Sequence, residues 1–587
     1  MGITQIYRAL TSANAYFLSY SRATLRDMKD LASRFLILLG PLVSIAALPG
    51  LMFDTTNLIK LLFLGIFAGG LTVYLFRNIA WLRNRNLKPF LFLLGIFFIA
   101  MFIPLLFSGS PFELQFYGSY GRNTGFLTYI LLILVLLSAL VNSTENLMHR
   151  IAKGIIYTGA FETAYTFLQY FKIDPVTWNN VDGWLFGTFI NPNFLSAFLG
   201  ISCVVIAAFL IELQTKFSTK VCLVLQLLVT LFIIIKSQSV QGLAITLVGA
   251  AVLIFLWLRK KFKSRAINFG YMGIILIGSI FSIFGFFQKG PLNQLLYQES
   301  ISFRGDFWQA GWQMFAHHPL TGVGLDSYGN WYLRYRSLTA AIRPGPEIKS
   351  TAAHNLFLDF AANGGILLLL AYVAINIAVL ISIVKVFRRS ADVGVGFISI
   401  SLAWLAYLAQ SVISINYIAL AAWGWLFAGL IIGYERLGSK EFIGTQEVAA
   451  KKSTKSTKKL RRQSKTGVGV SGFALVLGCI AGAVLVLPPF FGDIRWKSSL
   501  ASGDPTKLIA AVEAWPQNSH RFIATARGYA NNGELPQALQ LSLSSVAFDP
   551  RTFDSWRLIY TYPNSSVEQK ALALTKMKEL DSHYSSR

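Results

Sequence analysis

The sequence predicts an all-α polytopic membrane protein of about 12–13 transmembrane helices, with a large extracytoplasmic loop and a small helical C-terminal domain. Three observations predict it. Of the 587 residues, 54% are hydrophobic and only 13% charged, and the mean hydropathy is +0.54. Apolar runs of about 18 residues or more, long enough to cross a bilayer core as helices, recur along the chain. The basic residues cluster in alternate connections between those runs, which gives the chain a consistent orientation.

In order, the apolar runs lie near 34–53, 57–76, 89–107, 125–141, 151–171, 194–211, 218–235, 242–258, 267–287, 355–384, 394–415, 418–434 and 467–491. The fifth carries Glu162, Thr163 and Gln169 and is the most polar. The tenth, Leu356–Val384, is long for one crossing and is expected to be extended or broken. With Arg22, Arg26, Lys29 and Arg34 placed in the cytoplasm, the inner connections are Arg77–Lys88, Asn142–Arg150, Glu212–Lys220, Arg259–Arg265, Lys385–Arg389 and Glu435–Lys465, most of them basic. The outer ones are Asp54–Thr56, Ser108–Thr124, Lys172–Asn193, Lys236–Gln241 and the long Gln288–His354. An odd number of crossings leaves the C-terminus outside. The expected division is a cytoplasmic segment 1–33, a membrane domain 34–436 with its loop 288–354, a basic linker 437–466, a last crossing 467–491 and an outer domain 492–587.

The net charge of +25 does not make this a nucleic-acid-binding chain, because most of the basic residues flank apolar runs. The linker KKSTKSTKKLRRQSK reads as a solvated inner-face segment that fixes topology, or as a clamp on anionic lipid. Cys203, Cys222 and Cys479 lie within apolar runs and have neither metal spacing nor a disulfide framework. The polar, basic N-terminus has no short apolar core and is not a cleavable signal peptide. Beyond residue 491 the composition becomes that of a soluble helical module. Pro516 and Pro550 stand 34 residues apart there, the period of a tetratricopeptide unit. Such a tail is either a short cap on the membrane domain or a docking surface for an acceptor or protein partner.

The chemistry concentrates in the outer loops. Ser302–Gly365 is the longest polar interval between the apolar runs and holds three of the six histidines. Arg122, in GSYGRNTG, Arg304, in SFRGDFW, and His354 come from distant parts of the chain yet fall at one membrane face. Arginine near hydrocarbon is costly, and its planar fork suits phosphate oxygens; histidine accepts a proton at neutral pH. The set suits a donor linked through a diphosphate. Each residue also has a structural reading: an arginine at a span end snorkels to headgroups, and a histidine at a helix start serves as a cap. His317 and His318, in HHPLTGVG, read as part of a turn.

The pattern R304-x3-W308-x2-G311, then HPLTGVGLDSYGNWY, then A353-H354-N355-x2-L358 and N363-G364-G365-I366 resembles the O-antigen ligase and O-antigen polymerase superfamily, membrane glycosyltransferases of the GT-C type. YGSYGRNTG and GTFINPNFLSAFL fit the same family. The resemblance covers roughly residues 35–435 in layout. It implies glycosyl transfer from a polyprenyl-diphosphate glycan to an acceptor glycan, lipid or protein, with inversion at the anomeric carbon. It implies His354 as general base and Arg304 as a diphosphate ligand, with Arg122, Gln241, Arg343, Asn191, Asn193 and Asn355 as substrate-binding candidates. One departure stands out. The family often has Ser-Arg-Gly between spans seven and eight, where this chain reads SQSVQGL, with Gln238 or Gln241 in place of an arginine; Arg122 or Arg343 would replace it.

The outer acids Asp54, Glu113, Asp174, Asp182, Glu299, Asp306, Asp326 and Glu347 form no Asp-x-Asp or Glu-x-x-His pair, so a metal-independent reaction without a cofactor is expected. Asp306 is expected to pair with a loop arginine. The expected location is the bacterial cytoplasmic membrane. A repeat-unit polymerase is the alternative within the class, and a transporter or flippase of lipid-linked glycan the alternative outside it. Transporters place ionisable groups near the midplane of duplicated halves, whereas this chain has no internal repeat.

Overall fold

The computed structural model describes residues 28–178, 180, 183–212, 216–262, 264–286, 289–291, 293, 299–343, 345, 348–390, 392–437 and 465–584. The basic linker and the arginines Arg22 and Arg26 lie outside the described residues, as do Asp182 and Glu347. Every one of the thirteen apolar runs carries a helix: α1 (28–45), α2 (Asn57–Arg77), α3 (Lys88–Phe107), α5 (Phe126–Asn142), α6 (Glu145–Tyr170), α7 (Pro192–Ile211), α8 (Phe217–Lys236), α9 (Val240–Phe262), α10 (Arg265–Phe286), α14 (Leu356–Arg389), α15 (Val395–Ser411), α16 (Ile418–Leu437) and α17 (Lys465–Ser502). The short α4 (Phe112–Tyr117) and the loop helices α11 (Glu299–His317), α12 (Tyr328–Tyr335) and α13 (Leu338–Ile342) lie between them. The tail folds as α18 (Pro505–Glu513), α19 (Ser519–Asn531), α20 (Leu535–Phe548), α21 (Phe553–Thr561) and α22 (Val567–Leu580).

The chain is an all-α, multi-pass membrane protein. Among the described residues, nine helices are long and apolar enough to cross a membrane. The shortfall from thirteen lies in the character of particular helices, since none of the elements is missing. Helix α1 carries Lys29, Asp30 and Arg34, helices α5 and α15 are apolar but only 17 residues each, and α6 buries Glu162, Thr163 and Thr166 within its length.

The connections sort to two ends. Ser119 meets Asp326, Arg122 meets Thr351, and Tyr120 meets Asp493, joining expected outer segments. At the other end Glu145 accepts from the backbone of Gly396 and Phe397, Arg389 pairs with Glu435, and Arg436 reaches the Asn86 carbonyl. This is the pairing that the charge alternation requires.

Helix α16 is almost wholly enclosed by the bundle. Helix α17 is held against α2 by two small-residue faces, Gly65 and Gly69 opposite Gly478 and Gly482. A side chain at any of the four would strike the partner's backbone. That contact fixes where α17 leaves the membrane and so where the tail sits. The tail is welded to the loop. Met314, Tyr328 and Tyr332 share one core with Phe553, Trp556, Ile559, Met577 and Leu580. Fully buried Arg336 pairs with Asp581 at 2.9 Å, and the Arg551 guanidinium lies 3.5 Å over the Trp331 ring.

Helix α14 is two helices. At Gly365 the backbone turns to φ 75°, ψ −172°, open to glycine and strained for other residues. The carbonyls freed at Ala362 and Asn363 accept from the N–H groups of Val323 and Gly324, and the Ile366 N–H donates to the Pro319 carbonyl. The His-His-Pro-Leu-Thr-Gly-Val-Gly turn therefore completes the hydrogen bonding of the break.

Candidate active site

The site begins at the entrance to α14. Asn355 caps this helix, its side-chain oxygen accepting from the Leu358 N–H at 3.1 Å. Just ahead of it the chain is gripped from two sides. The Arg122 guanidinium donates to the Thr351 carbonyl at 2.5 Å, and the Asp359 carboxylate accepts from the Ala353 N–H at 2.7 Å. Arg122 also lies 3.3 Å from Asp326 and 3.9 Å from Asp359, and Asp326 itself accepts from the N–H groups of Ser119 and Thr124. Between these holds His354 adopts φ 54°, the left-handed region that side chains rarely enter.

The His354 ring is half-buried and lies 5.2 Å from the Phe307 ring. Burial, then the charges of Arg304 and Arg122, push its pKa down from 6.5 to about 3. The imidazole is therefore neutral at physiological pH, the form that accepts a proton. Burial alone would lower the pKa of Arg122, but Asp326 and Asp359 more than offset it and hold the guanidinium protonated.

Arg304 is 7% exposed. Among the described residues no carboxylate pairs with it, and burial pulls its pKa down to about 10, so it stays charged. With the Gln241 amide turned so that both ends are satisfied, its oxygen accepts from Arg304 at 3.1 Å and its nitrogen donates to the Asn193 carbonyl at 3.2 Å. Asn193 in turn accepts from Ser239, which is also bonded to Ser196. Asn191 caps α7 by accepting from the Asn193 N–H at 2.8 Å. The N-termini of α7 and α9 thus meet beside Arg304, and the N-terminus of α14 follows His354. Positive helix ends converge on the same corner and favour an anion there.

Residues 225–373 match the family model described as O-antigen ligase. This chain carries an O-antigen ligase domain. The match spans 149 of the 587 residues and likens that segment to the O-antigen ligase and polymerase superfamily. The comparison with curated proteins gives no match. The matched segment holds Gln241, Arg304, Arg343, His354, Asn355 and Asp359, whereas Arg122, Asn191 and Asn193 reach the O-antigen ligase domain from outside it.

The remaining candidates fall in different places. Arg343 is exposed, lies 5.9 Å over the Phe303 ring and lowers the pKa of Asp306 against the larger raising effect of burial. It acts on Phe303 and Asp306, which flank Arg304 in α11. His318 bonds to the Tyr335 hydroxyl at 3.0 Å and packs on Trp331, while exposed His317 bonds back to Gln313; neither is among the groups acting on His354. The side-chain oxygens of Asn191 and Asn355 are spent on helix caps. Among the described residues no three His, Cys, Asp or Glu side chains are grouped to hold a metal ion.

Sequence reasoning missed Asp359 and the role of Asp326. The signal for Asp359 was present. It is an acid five residues after His354, in the first turn of an apolar helix, where an unpaired carboxylate is costly and implies a partner.

Proposed function

We propose that the protein is a glycosyltransferase that moves a glycan from a polyprenyl-diphosphate donor to an acceptor hydroxyl at the outer face of a bacterial cytoplasmic membrane. The observation that carries this reading is Arg304, a buried guanidinium with no carboxylate partner among the described residues, next to a neutral histidine. An uncompensated buried cation is costly, and a diphosphate supplies the missing charge. Arg304 holds the leaving diphosphate, oriented by Gln241, with the helix N-termini adding to the field. His354 takes the proton of the acceptor hydroxyl as the acceptor oxygen bonds to the anomeric carbon. The bond from that carbon to the diphosphate breaks on the opposite side, so configuration inverts. Arginine charge stabilises the departing phosphate without a divalent cation.

In this reading Arg122 is a positioning residue, because its two terminal nitrogens are committed to Asp326, Asp359 and the Thr351 carbonyl. Asn191 and Asn355 shape the helix starts, and Arg343 assists at the rim. The domains divide as the sequence suggests, with the N-terminus inside and the tail outside.

The test uses purified protein in detergent with a polyprenyl-diphosphate glycan, glycan, lipid and protein acceptors, and EDTA. The reading expects glycan transferred in equal amount to polyprenyl diphosphate released. No covalent product in detergent, with donor translocated by the same protein reconstituted in vesicles, would replace it with transport.

A further inference from the structure

Between the tail and the short outer loops lies a cleft of about 290 Å³, close to the lower limit of roughly 300 Å³ for small-molecule sites. We infer that this cleft binds a neutral carbohydrate, the acceptor glycan of the proposed transfer, and so rests on that reading. Three features select the ligand.

The first is charge. Most ionic groups of the cleft are already satisfied, Glu113 excepted. Lys349 pairs with Asp554 at 2.7 Å, and Asp493 accepts from the backbone of Phe53 and Asp54 and from the Tyr120 hydroxyl at 2.7 Å. A charged ligand would meet no uncompensated partner among these groups.

The second is a missing donor. Asn123 lines the cleft and is 4% exposed, yet among the described residues its side-chain oxygen has no hydrogen-bond partner. A ligand hydroxyl supplies one, and a buried acceptor left unmatched is costly.

The third is an aromatic rim. Tyr117 and Tyr120 line the cleft, offering apolar ring faces beside polar groups, and the exposed Trp515 ring, next in the chain to the lining Pro516, stands edge-on to Tyr117 at 5.7 Å. That combination suits a sugar ring, which has an apolar C–H face and hydroxyl edges. Among the described residues the cleft has no strand edge for an extended polypeptide to join.

Position supports the assignment. Ser350 and Thr351 line the cleft, and Thr351 lies three residues before His354. A glycan bound there touches the segment that carries the proposed base.

The test is saturation-transfer NMR on the full chain in micelles. The probe is a soluble neutral glycan released from the host's surface polysaccharide, as acceptor, with a serine- and threonine-rich peptide for comparison. Saturation of the glycan by the native chain is expected. Affinity should fall about tenfold in Asn123→Gly, which keeps the left-handed backbone (φ 54°) while removing the acceptor, the worth of one such hydrogen bond. Gln517→Trp, which fills the cleft from its rim, should abolish binding, while His354→Ala should leave it unchanged. The inference is overturned if the native chain saturates no glycan, if the peptide is saturated instead, if both cleft variants bind as the native does, or if His354→Ala alone removes binding. A glycan that binds without any transfer product would retire the transfer reading and leave the cleft standing. Transfer without glycan binding would do the reverse.

Discussion

Replacing Asp359 with alanine tests whether the grip on His354 matters to the chemistry. Asp359 accepts from the Ala353 N–H at 2.7 Å and lies 3.9 Å from Arg122, so Asp359→Ala removes one hydrogen bond to a charged group, worth roughly 1.5–3 kcal/mol. His354 sits at φ 54°, a conformation that costs on the order of 1–3 kcal/mol unless its surroundings hold it. The two quantities are of one size, so losing the carboxylate releases the histidine from its strained position. A displacement of about 1 Å from the reacting geometry costs on the order of a hundredfold in rate. Asp359→Ala should therefore transfer glycan about a hundredfold more slowly, with donor KM little changed, because Arg304 remains in place. Asp359→Asn keeps an oxygen to accept from Ala353 and should recover most of the rate. Hydrogen exchange over residues 350–356 should speed up in the alanine variant and stay slow in the asparagine variant. Native turnover in folded Asp359→Ala, with exchange at that segment unchanged, would refute the positioning argument.

Other consequences are open to direct measurement. Arg304→Ala should weaken donor binding about tenfold to a hundredfold, the worth of one or two charge-assisted hydrogen bonds, and Arg304→Lys should recover only part because a single ammonium lacks the planar fork; titration with labelled donor reads both. His354 is neutral above a pKa of about 3, so kcat/KM should show no acid limb near 6.5 and should hold to about pH 5. Because this pKa is depressed on folding, the unfolded chain binds the extra proton between about 6.5 and about 3, and stability falls as pH drops through that window. Melting curves of His354→Ala should be flatter there. Arg336→Ala strands Asp581 in the shared core of loop and tail, a loss of about 3–5 kcal/mol, and limited proteolysis should then release the tail.

Much of the fold was legible because its causes are local. Apolar length and basic flanks mark each crossing, and every predicted run carries a helix. The break in α14 was foreshadowed by its excess length, and the glycine at Gly365 explains where it falls. The number of qualifying crossings was less legible, because α5 and α15 are short and α6 is polar, properties that depend on their burial among neighbours. At the site, His354 and Arg304 stood out as charged or titratable groups at a membrane face. Arg122 was visible for the same reason, but its two carboxylates come from residues 326 and 359, and no local pattern links them. Asn191 and Asn355 fit the family pattern, yet their cap geometry explains their side chains without a ligand. Gln241 was noted as a departure, and its place as a bridge between Arg304 and Asn193 depends on packing of α7 against α9. The cleft under the tail was out of reach of the sequence, since it is built by eight separated segments meeting.

The central claim is that His354 is the base of a glycosyl transfer. It is tested most directly by comparing native protein with His354→Ala at saturating donor, with EDTA present and donor binding measured in the same samples. The account predicts that His354→Ala binds donor as tightly as the native chain and forms no transferred product. Product formed at the native rate by His354→Ala would contradict it.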